Sequence, residues 1–280
     1  MTDQLPAARP RRLKDMWPED VRALLRADPR LLVPVGACEP HGRHLPLGCD
    51  SIIAERLADD LSRLSGVLRA PTVEYGVNAP HGDPAAGSAG VRKKTLHRLL
   101  NDLLSSWEGC GVREFVLLTA HAHDPHQEAL ATVVTGGARV RVVDVFAVDV
   151  HDLLHGQDEP MHADEVDTSL LLHLAPELVR VDRAEDYMVE RAALRRFRQG
   201  RLKDHGGSAL TVLGRPTLAT EATGRALYHR ILGRVATRVL DVPHERVAEY
   251  LGAATSEGAV TPTVTLTAGP PDGAPDEARP

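Results

Sequence analysis

With 280 residues, a hydrophobic content of 42% and only 3% aromatic residues, the chain can bury a sizeable aliphatic core in one large α/β domain or two small ones. A net charge of −6 argues against nucleic acid or an acidic membrane surface as the main partner. Three cysteines give no even disulfide framework, the N-terminus lacks the apolar region of an export signal, and no apolar run is long enough to span a membrane. We therefore expect a cytoplasmic protein with no nucleic-acid or membrane partner.

Apolar residues recur with helical and strand periods that alternate along the chain. The helical patterns cover residues 17–28, 50–65, 93–108, 124–134, 163–175 and 222–239. Buried strands are predicted at residues 31–35, 67–75, 115–118 and 140–150. Alternating strands and helices with short connections are typical of a parallel sheet. The predicted fold class is therefore α/β, a single doubly wound domain with a mostly parallel central sheet flanked by helices.

Four segments carry no clear strand or helix period. Residues 1–13 are polar and are expected to form a flexible arm, and residues 251–280 are expected to be a disordered tail. This places the predicted domain at residues 14–250. Residues 76–90 are rich in glycine, proline and alanine and predict a long structured loop, whereas residues 184–204 are highly charged and remain unassigned.

The most informative stretch is residues 33–50, which read V-P-V-G-A-C-E-P-H-G-R-H-L-P-L-G-C-D. After Gly36, four side chains able to bind a metal occur within twelve positions: Glu39, His41, His44 and Asp50. Glycines and prolines exclude regular structure here, so these groups follow the carboxyl end of a strand, where open α/β sheets bind ligands. Two carboxylates and two imidazoles suit a divalent cation such as Zn, Mn or Fe. The alternative is a polar loop that faces water.

Two further sites carry ionisable side chains at predicted strand or helix ends. His121 and His123 follow the strand at 115–118, while His162 and Glu165 precede the main part of the helix at 163–175. Each pair alone has an ordinary explanation, as loop histidines or as a helix start with a favourable charge. Because parallel strands share one carboxyl edge, these sites and the 33–50 loop can converge in space.

Four stretches of the chain together resemble the creatininase (creatinine amidohydrolase) family. Residues 33–50 look like its signature G-x-x-E-Q-H-G-x-H-L-P-x-x-T-D, and the segment from His81 to His121 resembles its stretch from E-H-x-x-F-P-G-T to N-G-H-G-G-N. M-H-A-D-E-V-D-T-S resembles H-A-G-E-x-E-T-S, and G-R-P-T-L-A-T-E-A-T-G resembles G-x-P-x-x-A-x-x-x-x-G. The resemblance runs from about residue 30 to 240. It implies hydrolysis of cyclic or linear amides by a two-metal centre, often in a hexamer.

The resemblance implies metal-ligand positions for two divalent ions at Glu39, His41, Asp50, His121, His123 and Glu165. Asp50 matches the carboxylate that bridges both ions. His123 stands where creatininase has a ligand glutamate, and Glu165 matches the helix-start acid that would complete the ligand shell of the second metal. His162 matches the histidine near the reacting amide, so His162 and Glu165 are the expected catalytic residues. His44 is expected either to orient a ligand or to be exposed at the surface.

The leading functional hypothesis is a metal-dependent hydrolase that cleaves a C–N bond in a small cyclic or linear amide, such as a lactam or formamide. The expected partners are this small-molecule substrate and further copies of the chain in a homo-oligomer, a hexamer by the resemblance. Departures from the family motifs, T-A-H-A-H-D for N-G-H-G-G-N and H-A-D-E for H-A-G-E, leave open a metal-binding scaffold without hydrolysis. The resemblance also leaves open a peptidase that trims a short peptide, and Cys38 and Cys49 leave open a metal-free thiol enzyme.

Overall fold

The computed structural model of the chain describes residues 9–79, 86–201 and 212–256. Its strands are β1 (Arg30–Pro34), β2 (Leu68–Arg69), β3 (Glu114–Thr119) and β4 (Arg139–Asp144). They form a sheet in the order β2-β1-β3-β4, and every pairing is parallel. In the register of the central pair, Leu31 of β1 lies opposite Phe115 of β3. The predicted parallel α/β sheet is confirmed.

The described residues contain eight α-helices: α1 (Pro18–Ala27), α2 (Cys49–Ser65), α3 (Lys93–Gly109), α4 (Asp124–Ala131), α5 (Glu165–Leu174), α6 (Arg191–Arg198), α7 (Glu221–Arg238) and α8 (His244–Ser256). Short 3-10 turns lie at Leu13–Asp15, His151–Leu153, Pro176–Leu178, Val181–Arg183 and Pro216–Leu218. Among these helices, none is long and apolar enough to cross a membrane.

The central strands are buried on both faces, which separates the aliphatic core into two layers. Leu32 and Val116 pack with α2, α5 and α7, whereas the adjacent Leu31 and Phe115 pack with α1, α3 and α4. Successive strand side chains point to opposite faces, so a continuous apolar run serves both layers. This double cover is the feature that the doubly wound prediction required.

Helices α5 and α7 cross closely because of one glycine. A Cβ placed at Gly224 would lie 1.8 Å from the backbone oxygen of Ser169. Only glycine permits this approach, and the Thr220 hydroxyl caps the start of α7 by accepting from the Thr223 amide. The contact fixes α5, whose first turn lies at the carboxyl edge of the sheet.

Several predicted elements differ from the structure in length. The strand predicted at 67–75 is reduced to β2, and the strand predicted at 140–150 ends at Asp144. The Asp144 carboxylate accepts from the Phe146 amide at 2.9 Å, which turns the chain out of the ladder. The helix predicted at 124–134 ends at Ala131, and the unassigned 184–204 stretch contains α6.

The ordered fold extends beyond the inner boundaries predicted for the N-terminal arm and the C-terminal tail. Arg12 pairs with Asp59, and the Arg11 guanidinium donates to the Gly66 carbonyl at 2.7 Å, so the end of the arm is tied to α2. At the other terminus, α8 continues past residue 250 to Ser256. Residues 1–8 and 257–280 lie outside the described residues, as do His81 and Asp83 of the predicted 76–90 loop.

Candidate metal centre

The loop after β1 reaches the start of α2 because Gly36 lacks a side chain. A Cβ at Gly36 would lie 2.2 Å from the Ser51 hydroxyl oxygen, so any larger residue would displace the first turn of α2. Asp50 occupies that first turn, as predicted from the sequence. A carboxylate is favoured at this end of a helix, where backbone N–H groups are unpaired. The close approach brings Asp50 against the loop that carries Glu39 and His41.

Five side chains from three distant segments converge at this edge of the sheet. The Glu39 Oε1 atom lies 3.1 Å from His121 Nδ1 and 2.9 Å from His162 Nε2. Asp50 places Oδ1 3.3 Å from His41 Nε2 and Oδ2 3.2 Å from His121 Nδ1. The rings of His41 and His162 stack with their centroids 4.5 Å apart. Potential ligand atoms therefore form two groups with the spacing of a metal site, Glu39–Asp50–His121 and Glu39–His41–His162.

The cluster is buried, and each of its ionisable groups shifts the pKa values of its neighbours. Glu39 is 0% exposed and Asp50 is 2% exposed. Burial opposes ionisation of Asp50, but the charges of His41 and His121 outweigh it and lower the Asp50 pKa to about 2. Burial likewise opposes protonation of His41, and Asp50 reverses this effect and raises the His41 pKa to about 10. The imidazole protons that face the carboxylates are those that a cation would displace.

Backbone carbonyls fix which imidazole nitrogen faces the cluster. His121 Nε2 and His123 Nδ1 both contact the Val77 carbonyl oxygen, at 2.9 and 2.7 Å, and His41 Nδ1 contacts the Glu39 carbonyl oxygen at 3.1 Å. Because a carbonyl oxygen only accepts, each of these nitrogens donates its proton. The opposite nitrogens are left to face the cluster or the cavity beside it, which is how metal-ligating histidines are oriented in proteins.

Four buried atoms at or beside the centre have no hydrogen-bond partner among the described residues: Glu39 Oε2, Asp50 Oδ2, His44 Nδ1 and His123 Nε2. A buried polar atom without a partner costs about 1–3 kcal/mol, so natural proteins seldom retain one without a reason. The nitrogen and carboxylate donors match the ligand preferences of Zn, Mn and Fe. On this observation the residues fit a bound divalent metal.

His123 and His44 are both buried beside the centre. His123 lines the same small cavity as His121, although it lies outside the two three-residue groups. His44 is 1% exposed, and its Nε2 lies 2.9 Å from the Thr168 hydroxyl at the start of α5. Burial, together with the charge of His41, lowers the His44 pKa to about 4. The expectation of a surface-exposed His44 is therefore wrong.

Glu165 is placed differently from the expectation. One of its carboxylate oxygens lies 2.8 Å from the His155 amide, and the other accepts from the Gly156 amide at 3.1 Å. The His155 Nδ1 atom also lies 2.8 Å from Glu165 Oε1. Both oxygens are thus used to hold the loop at 155–156, and Glu165 belongs to neither group of potential ligands. The expected roles of Glu165 as a metal ligand and as a catalytic residue stay predictions, and its contacts in the structure are those to the 155–156 loop.

Asp167 is the cavity-lining residue that the sequence reasoning missed. It lies on α5, two residues after Glu165, and its Oδ2 accepts from the Ala163 amide at 2.8 Å. Ala163 has a left-handed φ of 50°, a conformation that costs a non-glycine residue about 1–2 kcal/mol. This bond therefore holds the turn that presents His162. The sequence could have identified Asp167, because it occupies the position of the second glutamate in the H-A-G-E-x-E-T-S motif.

The two cysteines of the 33–50 loop lie in different environments. Cys49 is fully buried at the start of α2, and burial raises the pKa of its thiol well above the usual value. Cys38 is half-buried, and its Sγ lies 3.5 Å from the Gly87 carbonyl oxygen. The buried environment of Cys49 therefore disfavours nucleophilic attack by its sulfur.

The imidazoles and Asp167 surround a small cavity that adjoins a larger cleft. The cavity is about 10 Å³, room for about one water. The cleft has a volume of about 480 Å³ and is formed by the segments after β3 and β4, the 158–160 loop and α6. Ala122 and Phe146 line both spaces, so the cleft lies directly beside the metal centre.

Comparison with known proteins relates the chain to amide hydrolases. It is 30% identical over 229 residues to the mycofactocin precursor peptide peptidase of Mycobacterium tuberculosis (strain ATCC 25618 / H37Rv), covering 75% of this chain and 84% of the relative. It is 24% identical over 197 residues to the creatinine amidohydrolase of Pseudomonas putida, covering 61% and 74% of the two chains.

The fold and the family model agree with these similarities. A solved structure described as creatininase Mn superposes with a TM-score of 0.68 at 20% sequence identity, covering 84% of this chain and 99% of that one. The model of the creatininase family, creatinine amidohydrolase, matches residues 14–239. The chain therefore belongs to the creatininase family of hydrolases.

Proposed function

We propose that the protein is a metal-dependent hydrolase that cleaves the C–N bond of a small cyclic or linear amide. The observation that carries the proposal is the convergence of two buried carboxylates and three imidazoles around an unpartnered Glu39 oxygen. The creatinine amidohydrolase relative acts on such a bond, as its name states. Solved creatininases described as Mn and as Zn-Zn type support a divalent metal, and Fe would also suit the donor set.

Two ions per chain are proposed, held by Glu39, Asp50 and His121 on one side and by His41 on the other. Asp50 is proposed to bridge them because its two oxygens face different imidazoles, those of His41 and His121. The unpartnered Nε2 of His123 offers a further nitrogen ligand at the cavity wall. Divalent ions bound here would polarise the amide carbonyl and lower the pKa of a water molecule.

The chain itself provides the proton transfer and the exclusion of water. His162 lies at the cavity with Nε2 2.9 Å from Glu39 Oε1, and we propose that it delivers a proton to the departing nitrogen. Its ring packs edge-on against Phe197 at a centroid distance of 5.1 Å, which limits its motion. Asp167 is proposed as a positioning residue, because it holds the Ala163 turn that carries His162.

A peptidase that trims a short peptide is the second candidate. The 30% identical relative is named a peptide peptidase, and the cleft of about 480 Å³ is large enough to admit part of a short peptide. Both candidates use the same centre and break the same kind of bond. They differ in what occupies the cleft, so turnover of matched substrates separates them.

The proposed assembly is a homo-oligomer, a hexamer by family membership. Sedimentation equilibrium tests the proposal, and a strictly monomeric profile at micromolar concentration would count against it.

The decisive experiment combines metal analysis with turnover. Protein loaded with Zn, Mn or Fe is analysed for metal per chain and assayed on lactams, formamides and short peptides. We expect about two metals per chain and hydrolysis in one of these classes. The Asp50→Asn variant should lose both, whereas Asp182→Asn, which alters a carboxylate 77% exposed and paired with Arg183, should retain both. Bound metal without turnover in any class would instead favour a non-catalytic scaffold.

A further inference from the structure

His126 is a buried imidazole beside the metal centre that the proposed chemistry does not use. It lies in the first turn of α4, five residues after His121, and is 0% exposed. Its ring meets the His121 ring edge-on, with the centroids 4.8 Å apart. It stands two residues beyond the T-A-H-A-H-D segment, so the family resemblance gives it no role. A buried imidazole in this position requires partners for both of its nitrogens.

The hydrogen bonds of His126 fix which of its nitrogens carries the proton. Its Nδ1 atom accepts from the Val77 backbone amide at 3.3 Å, and an amide N–H group can only donate. A neutral imidazole with an accepting Nδ1 carries its proton on Nε2. The Nε2–H group therefore donates to the Thr119 hydroxyl oxygen, which lies 3.1 Å away. His126 thus connects the Val77 segment with the end of β3.

The same two partners hold His121 at its backbone and at its ring. The Thr119 hydroxyl oxygen also accepts from the His121 backbone amide, at 3.2 Å. The Val77 carbonyl oxygen accepts from His121 Nε2 at 2.9 Å and from His123 Nδ1 at 2.7 Å. His126, Val77, His121 and Thr119 therefore form a closed circuit of hydrogen bonds, and His123 is attached to it at Val77.

Gly76 allows the Val77 segment to lie this close to His126. A Cβ at Gly76 would be 2.8 Å from His126 Nδ1 and 2.8 Å from the Gly36 carbonyl oxygen, closer than a real Cβ atom can approach. The chain therefore passes between the imidazole and the loop after β1 with no room for a side chain. This close packing holds the Val77 amide against His126.

We propose that His126 is a positioning residue that keeps the His121 and His123 rings turned toward the metal centre. The inference rests on the proposed metal-dependent function, and His126 acts through Val77 and Thr119 rather than on the substrate. The Val77 amide and carbonyl flank one Cα, so an imidazole that holds the amide also restricts the direction of the carbonyl. That carbonyl fixes the rotation of both rings, and outer partners of this kind strengthen metal binding by orienting the ligands.

Nitrogen NMR of the imidazoles in the metal-free protein tests the hydrogen-bond circuit directly. We expect His126 to be neutral with its proton on Nε2, and the Val77 amide to exchange slowly with solvent. A proton on Nδ1 would contradict the circuit, because Nδ1 could then not accept from Val77. Rapid exchange of the Val77 amide would contradict it as well. This measurement needs neither a variant nor a metal.

Substitutions in the circuit test what it does for metal binding. His126→Phe keeps an aromatic ring but removes both hydrogen bonds, whereas His126→Asn keeps an oxygen able to accept from Val77. In competition with a chelator, His126→Phe should bind Zn or Mn about 10–100-fold more weakly than the wild type, with His126→Asn between the two. The absorption bands of bound Co²⁺, which report ligand geometry, should shift in His126→Phe. Thr119→Val, which removes only the shared hydroxyl, should also weaken metal binding and serves if His126→Phe does not fold.

Leu232→Ala separates positioning from general stability. Leu232 is 0% exposed on α7, in the core layer on the other face of the sheet, and its truncation destabilises the fold by leaving a cavity. Urea unfolding places this variant and His126→Phe on one stability scale. Folded Leu232→Ala should keep the wild-type metal affinity and Co²⁺ bands. If it loses metal as His126→Phe does, the effect of His126 is one of stability and the positioning role is wrong.

Metal binding and turnover in the same samples separate this inference from the proposed function. Wild-type metal affinity in both His126→Phe and Thr119→Val, with amide hydrolysis by the wild type, would overturn the positioning role alone. Weakened metal binding in these variants, with no amide hydrolysed by the metal-loaded wild type, would support the positioning role and contradict the hydrolase proposal. A wild-type protein that binds no metal would overturn both.

Discussion

Two buried polar clusters lie against the same helix, α2, and they balance their charges in opposite ways. The Arg69 cluster consists of Arg12, Glu55, Asp59 and Arg69. Arg69 is 0% exposed, and its guanidinium lies 2.8 Å from Asp59 and 2.5 Å from Glu55. Arg12 pairs with the second oxygen of Asp59. Both Asp59 oxygens therefore have a guanidinium partner.

The metal centre is built from carboxylates and imidazoles instead. Guanidinium groups stay charged at all accessible pH values, so the Arg69 cluster is complete without any ligand. An imidazole can release its proton and present a lone pair, so the centre can exchange protons for a cation. One oxygen of Glu39 has no hydrogen-bond partner, whereas both oxygens of Asp59 have one. In this protein the carboxylate paired with arginine is suited to stabilising the fold, whereas the carboxylates paired with histidine are suited to binding a cation.

The largest expected effect comes from removing the acid at the metal centre. Asp50→Ala should lose both metal ions and reduce amide hydrolysis by at least about 100-fold, because a bridging ligand serves both shells. In excess chelator the variant should also lose part of the wild-type unfolding free energy, because Asp50 no longer pairs with His41 and His121. Elemental analysis and urea unfolding in excess chelator check both statements. Two metals per chain retained by this variant would contradict the bridging role.

The matched substitution in the Arg69 cluster should show the reverse pattern. Asp59→Ala leaves the buried Arg69 guanidinium without its main partner, and breaking a buried pair costs about 3–5 kcal/mol of unfolding free energy. Metal content per folded chain should stay at the wild-type value. Urea unfolding with elemental analysis of the folded fraction tests the contrast. Loss of metal without loss of stability would show that the two clusters are not separate in role.

Acid titration sharpens the comparison further. Burial opposes ionisation of Asp59, but hydrogen bonds from Arg12 and Arg69 outweigh it, and the Asp59 pKa lies below its usual value. A carboxylate with a lowered folded-state pKa contributes stability above its unfolded pKa of about 3.9, and this contribution is lost as pH falls through the folded pKa. In the metal-free protein, Asp59→Asn should flatten the fall in unfolding free energy below about pH 4. If the slope of unfolding free energy against pH is unchanged in Asp59→Asn, the Asp59 carboxylate does not contribute to the acid sensitivity of the fold.

The smallest effects are expected at the cysteines. Cys38→Ala and Cys49→Ala should each keep hydrolytic activity within about twofold, with Cys49→Ala losing about 1 kcal/mol of stability from its packed position. Steady-state assays at saturating metal check the first statement and thermal unfolding checks the second. Abolished turnover in either variant with metal content intact would instead indicate a thiol nucleophile.

The parts of the fold that sequence predicted well are those with a strong local signal. Apolar runs gave β1 and β3, and the glycines and prolines of the 33–50 loop indicated that Glu39, His41 and Asp50 follow a strand end. Apolar periodicity did not predict the length of β4, because the strand ends where the Asp144 carboxylate accepts a hydrogen bond from the Phe146 amide. Such a local bond replaces the hydrogen bonds between strands, and the pattern of apolar residues does not reveal it.

Glu165 and Asp167 show why site residues on a helix are harder to assign. Both are acids in the first turn of α5, and both resemble positions of one family motif. Two residues along an α-helix rotate the side chain by about 200°, so the two carboxylates face nearly opposite directions. Sequence alone does not say which direction is the cavity. The packing of α5 against α7 decides this, and it places Asp167 at the cavity and Glu165 at the 155–156 loop.

The central claim is that acids and imidazoles from three segments jointly bind divalent cations. Crystals grown with zinc or manganese, measured at the absorption edge of that metal, test it most directly. We expect anomalous density between Glu39, Asp50 and His121, with a second peak beside His41, and about two metals per chain by elemental analysis. Density absent from this position, with the carboxylates and imidazoles turned away from one another, would contradict the account.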